Sequence, residues 1–279
     1  ISRFEQVACA DSNCKISESA GDAVTDSEND MLATVRRQMS MTDPLYIIYT
    51  SGSTGNPKGV MTSHLSLMTY IYAYCDVMHI EESDVLGNQS PLDYIAAIRD
   101  IYLPLKTGCS TAIIPKEYFM EPNALFDYMN DKKVSSVGWS VSAFTILTSL
   151  GAFEEVGLKS LRKICFSGSV MPCRVLRKWQ ENLPEAHFVN QYGPTEATAS
   201  CTYYSVDHTV EDDEVLPIGK AYDNYRVFLI DEHGNEPAVG EQGEICVCGP
   251  ILALGYYNDP ERTAAAFTLN PLNRAYPEL

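Results

Sequence analysis

Residues 49–59 read Tyr-Thr-Ser-Gly-Ser-Thr-Gly-Asn-Pro-Lys-Gly and directly follow the apolar run Leu45-Tyr46-Ile47-Ile48. The glycines leave the backbone free to adopt positive φ, so that amide and hydroxyl groups can converge on phosphate oxygens. Lys58 adds a positive charge at the end of the same stretch. Composition alone fits a plain flexible turn about as well, so the interpretation as a phosphate-binding loop depends on the surroundings of the stretch.

The surroundings of the loop support this interpretation. A β-branched and aromatic run precedes it, and a helix-compatible stretch from Leu65 to Val77 follows it. We therefore expect the order strand, loop, helix. The loop is not a Walker A loop, because Lys58 is followed by Gly59 and Val60 where that pattern requires Ser or Thr.

Two later segments add to the pattern. Residues 190–196 read Asn-Gln-Tyr-Gly-Pro-Thr-Glu, and residues 243–249 read Gly-Glu-Ile-Cys-Val-Cys-Gly, with Leu-Gly-Tyr-Tyr at 254–257. Together with the loop, and in this order, the segments resemble the adenylate-forming superfamily, specifically the adenylation domains of nonribosomal peptide synthetases and D-alanine-activating ligases. The resemblance extends from about Leu45 to about Phe267.

Composition limits the classes of function. The chain has 279 residues, 45% of them hydrophobic, which is enough for a substantial core. A formal charge of -17 argues against a nucleic-acid surface. Nine scattered cysteines indicate a reducing compartment, and without a signal peptide or an apolar run of about 18 residues we expect a cytoplasmic protein with no membrane partner. The chain begins without methionine, so we expect a piece of something longer.

Alternating strand and helix patterns after Leu45 predict a layered α/β subdomain with a mainly parallel sheet, in which loops at the carboxyl ends of the strands, including the phosphate loop, surround the ligand. After about Val215, short strands with Gly/Asn turns predict a small distorted β-barrel. The expected organisation is a polar segment over 1–44, the α/β subdomain over 45–214 and the barrel over 215–279. The resemblance implies a fragment of a larger adenylation domain, lacking the small mobile domain that follows in relatives.

The resemblance also implies roles for individual residues. Lys58, Thr195 and Glu196 would be catalytic, with Thr195 donating to the α-phosphate of ATP and Glu196 holding Mg2+. Tyr192 would stack on adenine. The other nucleotide-binding positions would be Thr50, Ser51, Gly52, Ser53, Thr54, Gly55, Asn190 and Gly193. By itself, Glu196 also fits the first turn of a helix, where its carboxylate would face the positive end of the dipole.

The same resemblance places an acyl pocket. Its positions would be Tyr94, Ile95, Ala96, Arg99, Trp139, Cys165, Ser167, Gln191, Ala199 and Ser200. Amino-acid-activating relatives have an aspartate where this chain has Ile95, and a buried ammonium without a counter-charge costs several kcal/mol. Either the substrate lacks an α-amino group, or the nearby Asp93 compensates in a shifted pocket. Arg99 also fits a solvated helix residue, and Trp139 fits plain core.

The resulting hypothesis is an ATP- and Mg2+-dependent ligase that activates an amino, hydroxy or keto acid for transfer to a carrier-protein phosphopantetheine. A coenzyme A ligase and a noncatalytic nucleotide-binding module of a synthetase are the alternatives. Ser169 and Leu254 also depart from the family pattern, which has glutamate and arginine there. We expect the fragment alone to be a poor catalyst.

Overall fold

The computed structural model describes residues 25–51, 56–92 and 94–273. The chain divides into two compact units, Ile1–Asp43 and Pro44–Leu279. In the first unit, residues 25–43 are described, and they include the helix α1, Asp26–Gln38. None of the helices in the described ranges has the length and hydropathy needed to span a bilayer.

The second unit alternates strands and helices for most of its length. In chain order its elements are β1 (Pro44–Thr50), β2 (Lys58–Ser63), α2 (His64–Met78), β3 (Val85–Asn88), α3 (Ile95–Thr107), β4 (Ser110–Ile113), α4 (Pro122–Asp131), β5 (Ser136–Ser140), α5 (Val141–Ser149), β6 (Lys163–Ser167), α6 (Cys173–Asn182), β7 (His187–Tyr192), β8 (Thr202–Val206), β9 (Lys220–Ala221), β10 (Arg226–Ile230), β11 (Glu244–Cys248), β12 (Gly255–Tyr256) and α7 (Pro260–Ala266). Short 3-10 helices cover Lys116–Met120 and Thr195–Ala197.

A seven-stranded sheet in the order β4-β3-β5-β6-β7-β8-β9 organises this unit. The pairs from β4 to β7 are parallel, and β8 and β9 continue the sheet in antiparallel fashion. The predicted fold class, mixed α/β with a mainly parallel sheet, is confirmed.

Helices cover both faces of this sheet, which explains why most residues of its central strands are buried. On one face α4, α5 and α6 contribute to a core that includes Trp139, Phe144 and Trp179. On the other face α2 and α3 contribute to a core with Tyr70 and Tyr74. Side chains that alternate along β6 divide between the two cores.

The phosphate loop lies elsewhere than expected. β1 and β2 form an antiparallel hairpin in which Thr50 pairs with Lys58, and β12 pairs with the other edge of β2 to complete a separate three-stranded sheet. The expected order of strand, loop and helix was therefore wrong, because a second strand separates the loop from α2. The expectation that the loop follows a strand of the parallel sheet was also wrong, because the preceding strand β1 belongs to the separate three-stranded sheet.

The strands after residue 215 take part in three different sheets. β9 extends the large sheet, β10 and β11 form a two-stranded antiparallel ribbon, and β12 joins β2. These pairings connect residues 215–279 with earlier parts of the chain. The boundary between 214 and 215, and the barrel as a separate subdomain, stay predictions.

Asp84 connects the amino ends of three parallel strands. Its buried carboxylate accepts hydrogen bonds from Ser135 Oγ at 2.7 Å and from the Glu81 amide at 2.9 Å. Lys163 Nζ, at the start of β6, lies 2.5 Å from Oδ2. Burial raises the pKa of the Asp84 carboxyl, but the hydrogen bonds from Lys163, Ser135 and Glu81 outweigh it and leave the pKa below its ordinary value.

We predict that Asp84→Asn lowers the free energy of unfolding by about 3 kcal/mol at neutral pH, because it leaves the largely buried Lys163 ammonium without its counter-charge. Since the folded pKa of Asp84 is lowered, its contribution is present above the ordinary value of 3.8 and is lost as pH falls through the folded value. The difference between variant and parent should therefore shrink in acid.

Urea unfolding at a series of pH values measures this difference. Asp131→Asn is the matched control, because Asp131 pairs with Lys132 at the surface with its side chain 71% exposed. Equal stabilities for Asp84→Asn and Asp131→Asn at neutral pH would contradict the assignment.

Candidate nucleotide and acyl site

Three sequence motifs meet at one charge pair. Lys58, the first residue of β2, donates a hydrogen bond to Glu196 Oε1 in the Thr195–Ala197 turn. Lys58 Nζ also lies 3.0 Å from the hydroxyl of Tyr256 on β12, which itself donates to Glu196 Oε1 at 2.6 Å. The three residues are 60 to 198 positions apart in the chain. The fold therefore brings together the motifs on which the family resemblance depended.

The turn that carries Glu196 requires a glycine before it. A Cβ on Gly193 would lie 2.4 Å from Ser200 Cα and 2.7 Å from the Cys201 nitrogen. The two backbone segments are joined by a hydrogen bond from the Cys201 amide to Tyr192 O at 2.8 Å. Between Tyr192 and Cys201 the chain forms a tight loop at the end of β7, and this loop contains Glu196.

The charge pair keeps both partners ionised. Partial burial raises the pKa of Glu196, but hydrogen bonds from Lys58 and Tyr256 outweigh burial and leave the pKa below its ordinary value. For Lys58, partial burial lowers the pKa, and hydrogen bonds to Glu196 and Tyr256 outweigh it, so that the pKa is raised. Burial and the hydrogen bond to Glu196 raise the pKa of Tyr256. At neutral pH the group is an ammonium, a carboxylate and a neutral phenol.

The other predicted nucleotide-binding residues surround this pair unevenly. Thr50 pairs with Lys58 across the hairpin, and Ser51 is exposed beside it. Thr50 Oγ1 is buried and has no hydrogen-bond partner among the described residues. Gly52, Ser53, Thr54 and Gly55 lie outside the described residues.

At the end of β7 the predicted adenine residues take different environments. Tyr192 is 39% exposed, and Asn190 donates from Nδ2 to Pro217 O at 2.9 Å. Thr195 is half-buried at the start of the turn. Their roles toward ATP stay predictions.

The donor chemistry of Glu196 fits a magnesium ion bound together with phosphates. No group of three or more His, Cys, Asp or Glu side chains is arranged to hold a metal within the described part of the chain. Mg2+ binds through one or two carboxylates and takes its remaining ligands from substrate phosphates and water. A single half-buried carboxylate such as Glu196 is consistent with that mode and not with a closed protein site.

The predicted acyl-pocket residue Arg99 is a buried cation held by an ion pair. Its Nε and Nη2 donate to Asp100 at 2.8 and 3.2 Å, and Nη2 also donates to Gly138 O at 2.7 Å. The guanidinium carbon lies 5.1 Å from the centre of the Tyr74 ring. Only 4% of Arg99 is exposed, so the alternative of a solvated helix residue is wrong.

Two other predicted pocket residues meet at a tyrosine. Gln191 Nε2 donates to the Tyr222 hydroxyl at 2.6 Å, and Ser200 Oγ lies 3.1 Å from the same oxygen. All three side chains are buried. The sequence carried no signal for Tyr222, because it stands outside the motifs.

Cys165 and Ile95 are two further predicted pocket positions whose side chains are buried. Cys165 belongs to the core under α2 and α3, and Ile95 is the first residue of α3 with 8% exposed. Burial raises the pKa of the Cys165 thiol to about 12, so the thiol is protonated at neutral pH and unsuited to nucleophilic attack.

Trp139 is the exception among the buried pocket positions. It belongs to the core on the opposite sheet face, and its Nε1 donates to Gly87 O at 2.8 Å. The structure therefore does not bring its side chain to Arg99 and Cys165, and the alternative of plain core fits it better. The remaining positions are half-buried or exposed, and these are Tyr94, Ala96, Ser167 and Ala199.

A cleft of about 570 Å³ borders Glu196. Pro194, Glu196 and Ala197 line one part of it, and apolar and polar residues of β10, β11, α7 and the segment after α7 line much of the rest. None of the predicted acyl-pocket residues lines this cleft. It belongs to the surroundings of the turn and not to the acyl pocket.

Comparison with known proteins gives one family. The sequence profile described as AMP-binding enzyme matches residues 4–257. The chain is 35% identical over 233 residues to the D-alanine--D-alanyl carrier protein ligase of Bacillus cytotoxicus, covering 83% of this chain and 46% of the relative. The corresponding ligase of Bacillus anthracis is 36% identical with the same coverage. The chain thus spans about half the length of these curated relatives.

Solved structures agree with this result. CmiS6 is 29% identical with a TM-score of 0.78, covering 88% of this chain and 58% of that protein. The nonribosomal peptide synthetase FmoA3, in its form bound to α-methyl-L-serine-AMP, is 28% identical with a TM-score of 0.76, covering 83% of this chain and 26% of FmoA3. A form of FmoA3 bound to AMPPNP gives the same TM-score of 0.76.

The seat of Arg99 depends on the absence of a side chain at residue 138. A Cβ on Gly138 would lie 2.3 Å from Arg99 Nη1. We predict that Gly138→Ala lowers the free energy of unfolding by about 2 kcal/mol, because the guanidinium must leave its place between Asp100 and Tyr74. Gly157→Ala is the control, since a Cβ on Gly157 meets nothing within 4 Å. Denaturant unfolding compares the variants, and equal losses would contradict the prediction.

Proposed function

The chain belongs to the AMP-binding enzyme family, and from this premise we propose that the whole protein activates a carboxylic acid with ATP. A carboxylate oxygen forms a bond to the α-phosphorus, the bond from that phosphorus to the bridging oxygen breaks, and pyrophosphate leaves with the electron pair. The product is an acyl-adenylate. In a second step a thiol attacks the acyl carbon, forming a thioester and releasing AMP.

One observation carries the proposal. Lys58 of the phosphate loop and Glu196 of the second motif are in direct contact, although 138 residues separate them. An ammonium beside a carboxylate can place a positive charge on departing phosphates and an anionic ligand on a cation in the same small region. Mg2+ bound at Glu196 would neutralise further phosphate charge.

Each residue of the candidate site is given a proposed contact with ATP. Lys58 would exchange Glu196 for a phosphate oxygen, and the loop hydroxyls of Thr50 and Ser51 would donate beside it. Thr195 would donate to the α-phosphate, and Tyr192 would cover the adenine. No general base is needed for adenylation, because a carboxylate is already ionised at neutral pH.

We propose a carrier-protein phosphopantetheine as the thiol acceptor. The support comes from relatives that are named as carrier protein ligases. We place the reaction in the cytoplasm, where reduced thiols persist; the seven cysteines among the described residues are free thiols.

For the acid we propose a substrate without an α-ammonium group. Ile95 offers no charge, and the Asp100 carboxylate already accepts from Arg99 and from Asn88 Nδ2 at 3.0 Å. None of the ten predicted pocket positions carries a carboxylate, and the Asp100 carboxylate beside Arg99 is already paired. Asp93, the alternative partner for an ammonium, lies outside them.

Exchange of labelled pyrophosphate into ATP by the whole protein tests both the reaction and the class of acid. The panel consists of matched skeletons, such as alanine, lactate and pyruvate, and the corresponding branched-chain trios. We predict that hydroxy or keto acids support exchange at least about 100-fold better than the amino acid of the same skeleton, since an uncompensated buried ammonium costs several kcal/mol.

Ile95→Asp supplies the missing carboxylate and should shift the preference toward amino acids. A preference of the unsubstituted protein for amino acids would reject the proposed acid class and keep adenylation. Silence across the panel, with folding confirmed, would favour a noncatalytic module.

We predict that Lys58→Ala lowers the exchange rate by about 100-fold or more, the usual effect of removing one donor that stabilises transition-state charge. Lys132→Ala is the matched control, because Lys132 pairs with Asp131 at the surface, far along the chain from every motif.

The melting temperature with and without Mg-ATP provides a second measurement of the role of Lys58. A ligand at 100 times its dissociation constant adds about 2.7 kcal/mol, and Lys58→Ala should reduce that gain. Unchanged exchange in Lys58→Ala would contradict the role.

A further inference from the structure

Tyr256 is placed against Lys58 by strand register. In the antiparallel pair of β12 and β2, Tyr256 lies opposite Val60, and Lys58 is two residues before Val60 on the same strand face. Diagonal neighbours of this kind lie within reach of long and aromatic side chains. Backbone bonds from Leu254 N to Met61 O at 2.7 Å and from Tyr257 N to Gly59 O at 2.8 Å extend the pairing on both sides.

The Tyr256 ring is fixed by apolar packing. Tyr256, Val60 and Ala253 form a small buried cluster against which Phe267 packs, with ring centroids of Tyr256 and Phe267 5.7 Å apart. Only 6% of Tyr256 is exposed. The ring therefore holds its hydroxyl at one place.

The same strand segment is attached to the Glu196 turn. Ala253 N donates to Glu196 O at 2.8 Å, and Thr198 Oγ1 donates to Ile251 O at 2.7 Å. The hydroxyl of Tyr256 thus occupies a fixed position relative to both the phosphate loop's strand and the turn.

At that position the hydroxyl uses both of its capacities. It donates its one proton to Glu196 Oε1 at 2.6 Å and lies 3.0 Å from Lys58 Nζ, which can donate to it. Nζ also lies 4.8 Å from the centre of the Tyr256 ring. The phenol therefore contacts both charged groups, whereas Glu196 and Lys58 are 19% and 26% exposed and have solvent on their other side.

We propose that Tyr256 is a positioning residue for the nucleotide site, which holds the Lys58 ammonium and the Glu196 carboxylate where phosphates and Mg2+ bind. The inference rests on the proposed function. When Lys58 turns to a phosphate, the hydroxyl would keep its donor bond to Oε1 and so hold the carboxylate that would bind the cation. Without the hydroxyl, Glu196 loses the neutral side-chain donor that would hold it after Lys58 leaves.

Tyr256→Phe removes the hydroxyl and keeps the ring with its contact to Phe267. The matched control is Tyr257→Phe, the same chemical change one residue further on, at a side chain that is 46% exposed. Calorimetry with AMPPNP, at several Mg2+ concentrations and with the full chain, gives the dissociation constant and the Mg2+ concentration at half-maximal binding. The melting temperature without ligand is measured in parallel.

We expect Tyr256→Phe to raise the dissociation constant by about 10-fold or more, the size expected for a lost hydrogen bond to a charged group. It should also raise the Mg2+ concentration needed for half-maximal binding. Tyr257→Phe should stay within about twofold of the parent in both. If Tyr256 only stabilised the fold, Tyr256→Phe would lower the melting temperature and leave the dissociation constant and the Mg2+ requirement unchanged. This result would overturn the inference.

A cycle with Glu196→Gln provides a second test. Since Tyr256 acts in part through Glu196, the double variant should bind AMPPNP less weakly than the sum of the two single losses predicts. Additive losses would overturn the inference and leave the proposed function intact. Absence of nucleotide binding by the unsubstituted chain would overturn both.

Discussion

The double pairing of β2 is the constraint on which the candidate site depends. One edge of β2 pairs with β1 and the other with β12, so that three segments distant in the chain share one short sheet. Lys58 opens that strand, and Tyr256 lies diagonally across from it. The turn with Glu196 is attached to the same sheet through the Ala253 amide. The Lys58 ammonium, the Glu196 carboxylate and the Tyr256 hydroxyl are therefore held within hydrogen-bond distance of one another by backbone pairing.

The large seven-stranded sheet contributes to stability and to the position of the predicted acyl pocket. It buries two cores on opposite faces and presents the carboxyl ends of β6 and β7 toward the region of the predicted acyl pocket. Its amino ends are joined by the Asp84 ion pair, far along each strand from the site residues. Stability and chemistry are thus assigned to opposite ends of the parallel strands, as the general rule for open α/β sheets leads one to expect.

Local pattern was sufficient to predict much of this fold. The bounds of α4, Pro122–Asp131, agree with its local sequence, because Pro122 suits the first helical position and Leu125, Phe126 and Met129 form its buried side. The motif residues Lys58 and Glu196 were named from sequence and do meet. β2 was missed, since a strand that contains Gly59 and is followed at once by a helix has little alternation to detect. The contacts of Tyr256 and Tyr222 could not be predicted, because their partners are 22 to 198 residues away in the chain and no local pattern records such pairings.

Under the proposed function, the contact between Lys58 and Glu196 would also affect how a nucleotide reaches the site. The chain carries a formal charge of -17, and the one ammonium at the phosphate loop is already neutralised by its carboxylate partner. Beyond about 8 to 10 Å at ordinary ionic strength, an incoming polyphosphate meets a screened negative field without a positive target. Under the proposed function, added salt should therefore speed the encounter, contrary to the usual behaviour of phosphate-binding proteins. Attraction would begin only at contact, when a phosphate oxygen takes the place of Glu196 on Lys58.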